Sequence, residues 1–385
     1  MRKKLHIFFV DPMSYNNLSI YDNLLINNIH DVEIEYFASH LFDLGEQYYP
    51  VHKIYKYNNK SKLVKLFSYL RSQWKLFNRI KKERPDVVHF QWLKIPFYDV
   101  RLIKKIKQLG IKTLFTAHNL VPHGSGRKYE DIYKRIYNEL DGIIVHSERT
   151  KEELIERFGI SSHKIEVIAH GLLKPNEVDS VKVESLILEY KEQMNLNNET
   201  VFAALGIINL YKGVDITINA WKNSTLCNNN ESKLIIGGSG NLDELEELQY
   251  CANTLVLNRF LSDEEFTALL RITDFLILPY REISQSGVLL TAMEQKKRVI
   301  VSDVGGLTEP FKFGKIGYII ESPPTPEELS KSIHGAIKEK DEYPSDEVWK
   351  KISEFYSWGA IGEKTKNLYF NLAKKVLDQI SLYLL

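Results

Sequence analysis

The chain has 385 residues, too many for one ordinary core, so two domains of roughly 150 to 200 residues are expected. Charged and apolar fractions of 26% and 44% are ordinary for a soluble globular protein. A net charge of +1 conceals an asymmetry: residues 1–175 carry 29 Lys/Arg against 19 Asp/Glu, which leaves 22 of the 51 basic and 31 of the 50 acidic residues for the remainder. That acidic second part would repel phosphate, and no nucleic-acid motif accompanies the basic first part, so nucleic acid is not an expected partner.

From the N-terminus, MRKKLHIFFVDP places basic residues before an apolar run that breaks at Asp11-Pro12. The run is too short for a signal-peptide core and reads as a first buried strand. No segment approaches the roughly 20 apolar residues that span a bilayer. Buried strands are predicted over residues 5–10, 32–37, 87–90, 112–116, 142–145 and 164–169, with helical stretches between several of them. Much of the basic excess lies in residues 53–84, where Leu63, Leu66, Phe67, Leu70, Trp74, Phe77 and Ile80 recur at spacings of three and four among lysines and arginines. This is an amphipathic helix with a cationic face. It is either an outer helix whose apolar stripe packs on a sheet, or a surface for anionic lipid that includes Lys62 to Lys82.

Residues 172–199 turn polar and helical, as a connection between domains would. Strands resume over 201–205, 233–237, 254–257, 275–278, 298–302 and 317–320, and residues 353–385 read as helix. Strands alternating with helices imply parallel sheets covered on both faces. The fold class expected is α/β, with two Rossmann-like, doubly wound domains facing one cleft. Their expected bounds are 1–172 and 200–354, joined by 173–199, with 355–385 as a terminal helix. FFVDPMSYNN after the first strand lacks G-x-G-x-x-G, which argues against a dinucleotide enzyme such as an epimerase. Cys227 and Cys251 show neither metal-ligand nor CxxC spacing and read as thiols of a reducing, cytoplasmic compartment.

Residues 275–309, FLILPYREISQSGVLLTAMEQKKRVIVSDVGGLTE, form a strand, a loop, a helix opening at Ser286-Gly287 and a second strand. A loop of small residues leading into a helix start presents free N–H groups and the positive end of the helix dipole, which suit a diphosphate. The run resembles the sugar-nucleotide signature of GT-B glycosyltransferases of the large retaining family four. FAALGIINLYKG resembles that family's G-x5-K-G donor motif at Gly206 and Lys212. LIIGGSGN resembles its G-x-G turn at Gly238, and TLVLNRFL matches a segment whose backbone near Arg259 and Phe260 meets the base. The resemblance implies donor contacts from Ser284, Ser286, Gly287, Val288 and Thr291. Aligned on Ala292-Met293 and Gly305-Gly306, the usual Glu-x7-Glu pair falls on Ile283 and Thr291, and Glu282 lies one residue early. The accompanying arginine is replaced at its two alternative positions by Ile207 and Asn209.

In the first domain the resemblance makes His118, in FTAHNLVPHG, the histidine that faces the donor sugar. His118, Lys212 and Glu282 are thus the catalytic candidates. Tyr15, Asn16, Trp92 and Asn119, near the ends of their strands, are the acceptor candidates. The family uses no metal and needs no cofactor, and its substrates are a nucleotide-diphosphate sugar and a glycan or lipid-linked acceptor. The eroded glutamate pair leaves open a non-catalytic or partner-dependent subunit.

Overall fold

Strands of three to eight residues alternate with helices along the computed structural model, which describes residues 4–15, 17–45, 47–56, 61–122, 126–174 and 178–383. The chain divides into two units, Met1–Gly171 with Tyr356–Leu385, and Leu172–Phe355. In the first, β1 (Leu5–Asp11), α1 (Asn17–Asn27), β2 (Val32–Ser39), β3 (Val51–Tyr55), α2 (Lys62–Glu83), β4 (Val87–Phe90), α3 (Pro96–Gln108), β5 (Lys112–Thr116), α4 (Glu130–Glu139), β6 (Gly142–Val145), α5 (Glu148–Phe158) and β7 (Ile165–Val167) follow in turn. Their seven strands form one sheet in the order β3-β2-β1-β4-β5-β6-β7, and every pairing is parallel.

The second unit holds α6 (Ser180–Gln193), β8 (Thr200–Leu205), α7 (Val214–Lys222), β9 (Ser232–Gly238), β10 (Thr254–Asn258), α8 (Asp263–Ile272), β11 (Phe275–Leu278), α9 (Gly287–Glu294), β12 (Arg298–Ser302), β13 (Gly317–Ile320), α10 (Pro326–Lys338) and α11 (Asp346–Phe355). Its six strands run β10-β9-β8-β11-β12-β13. Helix α12 (Trp358–Tyr383) returns to the first unit, where Tyr369 is buried in the core with Ile7, Phe9 and Ile144. The central strands of both sheets are buried along their whole length because helices cover both faces; they read as continuous apolar runs rather than alternations. In each sheet the strand order reverses beside its first strand, β1 or β8, which is where open α/β sheets bind ligands at the C-terminal ends.

Four expectations need correction. Residues 51–55, absorbed into the basic stretch by sequence, form the edge strand β3; it is short and carries His52 and Lys53, features that blunt an exposed edge and weaken the strand signal. Helix α2 begins only at Lys62, and it buries Tyr69, Ser72, Gln73, Leu76 and Ile80, while Leu63, Phe67 and Trp74 remain 78%, 70% and 64% exposed. Of the expected apolar stripe, the C-terminal end at Phe77 and Ile80 packs on the core, while at the exposed N-terminal part polar Ser72 and Gln73 face inward because they have buried partners, Ser72 Oγ donating to the Ile54 carbonyl and Gln73 Nε2 to Asp99 Oδ1. The stretch expected to connect the domains falls in the second unit, where α6 is tied to α8 by Tyr190 to Glu265 and by Arg271 to Glu184. Finally, Cys227 and Cys251 are joined as a disulfide and are not thiols. Their separation of 24 residues gives no sign of it; packing of β9 and the segments around it brings them together. The argument for a reducing compartment goes with it, since disulfides belong mainly to oxidising ones.

Candidate active site

In the second unit, Gly206 and Lys212 follow β8, and Ser284, Ser286, Gly287 and Val288 follow β11, while Gly238 ends β9 and Arg259 and Phe260 follow β10. The backbone dictates the glycines. A Cβ on Gly213 would stand 2.0 Å from the Pro279 carbonyl oxygen, and one on Gly238 would stand 1.7 Å from that of Gly206, so in each case two loops touch where a side chain has no room. The loop carrying Lys212 is further fastened to that carrying Ser286. Arg281 donates its backbone N–H to the Tyr211 carbonyl (2.8 Å) and its guanidinium to Asp215 Oδ1 (2.7 Å) in a two-pronged pair.

Ser286 is the N-cap of α9, its Oγ accepting from the Leu289 amide at 3.3 Å. The N–H groups of the first turn have no partner within the helix, and Gly287 and Val288 supply two of them. The spot a Cβ of Gly206 would occupy lies 3.3 Å from Lys212 Nζ and 3.5 Å from Val288 Cγ2. Lys212, Gly206 and the start of α9 thus converge. The Lys212 ammonium is half-buried over the Tyr280 ring, 5.4 Å from its centroid, and burial pushes its pKa below the usual lysine range. Among the described residues it has no carboxylate within ion-pair distance. A desolvated cation beside a helix N-terminus is an anion site.

The remaining donor candidates are less engaged. Ser284 offers its carbonyl to the Gly306 amide, which holds the loop. Thr291 Oγ1 donates to the Gly287 carbonyl at 3.0 Å, so its hydrogen is committed within the helix. Arg259 grips Glu265 through two guanidinium nitrogens, while Phe260 is 82% exposed beside it. Glu282 is exposed on the loop. The helix after Arg259 is capped by Ser262, with Glu265 completing a capping box and Asp263 and Glu264 in its first turn.

In the first unit, His118 follows β5 and is half-buried, with Trp92 stacked on it at 4.9 Å between ring centroids and 11° between planes. Tyr15 and Asn119 are half-buried in the loops after β1 and β5, and Asn16 lies outside the described residues. Sequence reasoning missed the network behind His118. Its Nδ1 is 3.1 Å from His146 Nε2, whose Nδ1 is 2.9 Å from the Ile168 carbonyl oxygen. Its Nε2 is 3.0 Å from Gln91 Oε1; Gln91 Nε2 is 3.0 Å from His89 Nε2, and His89 Nδ1 is 2.7 Å from the Tyr369 hydroxyl. Tyr21 meets His118 edge to face at 4.7 Å. Burial lowers the pKa of His118 well below the ordinary value, that of His146 to about 4 and that of His89 to about 3, so the three rings are neutral at neutral pH. A signal existed: His89 stands within its strand's last residues, and His118, His146 and His170 follow their strands within three.

The second group of histidines is of another kind. Glu35 accepts from His6 Nε2 (2.9 Å), His52 Nε2 (2.6 Å) and Arg79 (2.8 Å), and Arg79 also pairs with Glu83. His6, Glu35 and Glu83 are close enough to share a cation, but the Arg79 guanidinium already supplies the positive charge there.

The sequence profile described as Glycosyltransferase Family 4 matches residues 30–172, and that described as Glycosyl transferases group 1 matches residues 187–354. An uncharacterised glycosyltransferase of Methanocaldococcus jannaschii is 27% identical over a match that covers 59% of this chain and 59% of the relative, so the chain spans about three fifths of that relative's length. A glycosyltransferase from Rickettsia africae shares the fold with a TM-score of 0.72 at 18% identity, over 97% of this chain and 99% of that one. Anabaena HepE, whose crystal structure is in complex with UDP, does so at 0.64 and 15% identity, over 98% and 100%. With both profiles matched, one in each unit, and two parallel Rossmann-like sheets shared with these structures, the chain belongs to the group 1 glycosyltransferases of family-four type and has the GT-B fold.

Proposed function

We propose that this glycosyltransferase moves a sugar from a UDP- or GDP-sugar to a glycan or lipid-linked acceptor, with retention of anomeric configuration and without a metal ion, in the synthesis of cell-surface polysaccharide or glycoconjugate. The observation that carries the reading is the convergence of the Lys212 ammonium with the first turn of α9 beside Gly206. Fixed charge and dipole at that point neutralise the departing diphosphate, the part a divalent cation plays elsewhere. In a front-face reaction the bond from the anomeric carbon to the phosphate oxygen breaks and the acceptor oxygen bonds to the same face. The acceptor proton passes to the departing phosphate oxygen, so the atoms balance without a protein nucleophile. Gly238, Arg259 and Phe260 would meet the nucleotide, Ser284 and Thr291 the diphosphate loop, and Glu282 the sugar. His118, Trp92, Tyr15, Asn16 and Asn119 are assigned to the transferred sugar and the acceptor. The test is incubation of the full chain with each nucleotide sugar, with and without EDTA. Retained configuration in the product, read from anomeric proton couplings and undiminished by EDTA, is the expected result; an inverted product or a strict metal requirement overturns it.

A lipid-linked acceptor is supported by α2. Leu63, Phe67 and Trp74 stand exposed among Lys62, Lys65, Arg71, Lys75, Lys81 and Lys82, and the helix's one acid, Glu83, is paired with Arg79 at 2.6 Å. Apolar side chains ringed by unopposed cations match an anionic bilayer surface. Among the described residues no helix is long and apolar enough to cross a membrane. The second reading, a donor-binding but non-catalytic subunit, is favoured by Ile283 and Thr291 at the glutamate positions; nucleotide binding with neither transfer nor donor hydrolysis would establish it.

A further inference from the structure

The hydrogen bonds behind His118 fix where its proton sits. A carbonyl oxygen only accepts, so His146, 2.9 Å from the Ile168 carbonyl through Nδ1, carries its proton there. A neutral His146 then turns a bare Nε2 toward His118, which must donate from Nδ1. That leaves one lone pair on the His118 ring, at Nε2. This atom faces Oε1 of Gln91, and two acceptors at 3.0 Å repel. The ends of an amide are interchangeable in shape, and turning Gln91 over repairs every contact at once. Its NH2 donates to His118 Nε2, its oxygen shares the His89 Nε2–H with Thr116 Oγ1, which is 2.8 Å from that nitrogen, and His89 Nδ1 accepts from the Tyr369 hydroxyl. With the amide in the other orientation the chain is consistent only if the His118–His146 pair holds one more proton, His118 donating from Nε2 to the Gln91 oxygen while one ring still donates to the other. The orientation of Gln91 and the protonation of the His118–His146 pair are therefore one variable.

We propose that His146 and Gln91 are positioning residues for His118: His146 confines the proton to Nδ1, and the reversible amide of Gln91 covers Nε2 until a substrate hydroxyl replaces it as donor. His118 then acts as a hydrogen-bond acceptor, and the buried row of Gln91, His89 and Tyr369 adjusts to any proton it takes up. All of these side chains belong to the first unit, and Gln91, His89 and Tyr369 are wholly buried, so water does not compete for the contacts. The role given to His118 rests on the transferase reading; the tautomer assignment does not.

The test uses the full chain with nitrogen-15 in its histidine rings. Ring nitrogen shifts at neutral pH are expected to show Nδ1–H for His146 and His118 and Nε2–H for His89. His146→Leu removes the acceptor and moves the His118 proton to Nε2, whereas His146→Gln, which places a carbonyl oxygen near the lost Nε2, keeps it on Nδ1. In the transfer assay His146→Leu lowers kcat by roughly a hundredfold with the donor KM little changed, and His146→Gln recovers most of it. Wild-type His118 protonated at Nε2 would overturn the proposal, as would a His146→Leu variant with unchanged tautomer and kcat. If His146→Leu does not fold, Gln91→Leu decides: loss of the amide leaves His118 Nε2 without its donor and moves that nitrogen's shift toward a free lone pair, and an unmoved shift refutes the coupling. Should no donor be turned over, the transferase reading fails while the ring shifts still decide this one.

Discussion

Replacing Lys212 by alanine separates a functional cation from a structural one. A lysine retained for the fold would be neutralised, yet the Lys212 ammonium is half-buried against Tyr280 with no carboxylate in ion-pair range among the described residues. Burial without a counterion costs free energy, and the lowered pKa has the matching sign. Below that pKa the unfolded chain holds the proton more tightly, so at neutral pH the charge weakens the fold. Removing it should leave the melting temperature unchanged or slightly raised. Binding should respond in the opposite direction. A charge-assisted hydrogen bond contributes about 1.5 to 3 kcal/mol, which at about 1.4 kcal/mol per decade weakens nucleotide diphosphate binding by about ten- to 150-fold. The assay is calorimetric titration of UDP, GDP and ADP into both proteins, with and without EDTA. Variant affinity within twofold of wild type, or a melting temperature several degrees lower, would refute the reasoning, the first by removing the phosphate contact and the second by making Lys212 a structural residue.

Three further outcomes are expected. Asp11 and Asp22 are buried together beneath the loop after β1, and burial raises Asp11 to about 7 and Asp22 well above its usual value. The folded pair therefore keeps a proton that the unfolded chain releases near pH 4, so unfolding free energy should fall as pH rises from about 4 to 7 and then level off; Asp22→Asn should flatten that slope, and an equal slope in the variant would exclude the pair as its source. On vesicles of anionic lipid, joint replacement of Phe67 and Trp74 by serine should weaken binding by tenfold or more, and added salt should weaken the wild type further; sedimentation unaffected by both would remove α2 as the contact. Replacing Cys227 by serine opens the disulfide to Cys251 and should cost about 3 to 4 kcal/mol in denaturant titrations, as expected for a loop of 24 residues; no change would mean that the bond is not formed in the folded protein.

How far the sequence could be read depended on what each segment buries. The strands Val87–Phe90, Lys112–Thr116, Phe275–Leu278 and Arg298–Ser302 are legible to the residue because both of their faces are covered and the apolar run ends where burial ends. Strand β3 is not, because an edge strand buries little and carries charge. Helix α2 misleads for a subtler reason. Spacing identifies which residues share a face but not which face is covered, and here polar Ser72 and Gln73 face inward because their partners lie on the strand β3 side and on Asp99. The glycine loops around Lys212 were readable, since close approach of backbones leaves few alternatives. The histidine network left only a weak signal, histidines at or just after strand ends, because His89 and Gln91 of β4, His118 after β5, His146 after β6 and Tyr369 of α12 are brought together by the order of strands and the return of α12, which spacing does not show.

That division bears on the altered signature. The pattern this chain resembles carries two glutamates, an arginine and a lysine, charges that cancel. Here Ile283 and Thr291 stand for the glutamates, Ile207 and Asn209 for the arginine, and Lys212 alone remains, so the loop cluster is one unit more positive. The three losses offset one another in charge. With two carboxylates near the diphosphate, a second cation is needed to hold the field positive; without them, one lysine and the first turn of α9 suffice. Thr291 fits this account, because its hydroxyl hydrogen is given to the Gly287 carbonyl and adds no charge. Glu282 fits it too, being exposed beside the site instead of within it. The missing glutamates and the missing arginine thus change the local charge by one unit, and the nucleotide titrations of wild type and Lys212→Ala decide whether one lysine and the first turn of α9 bind a diphosphate.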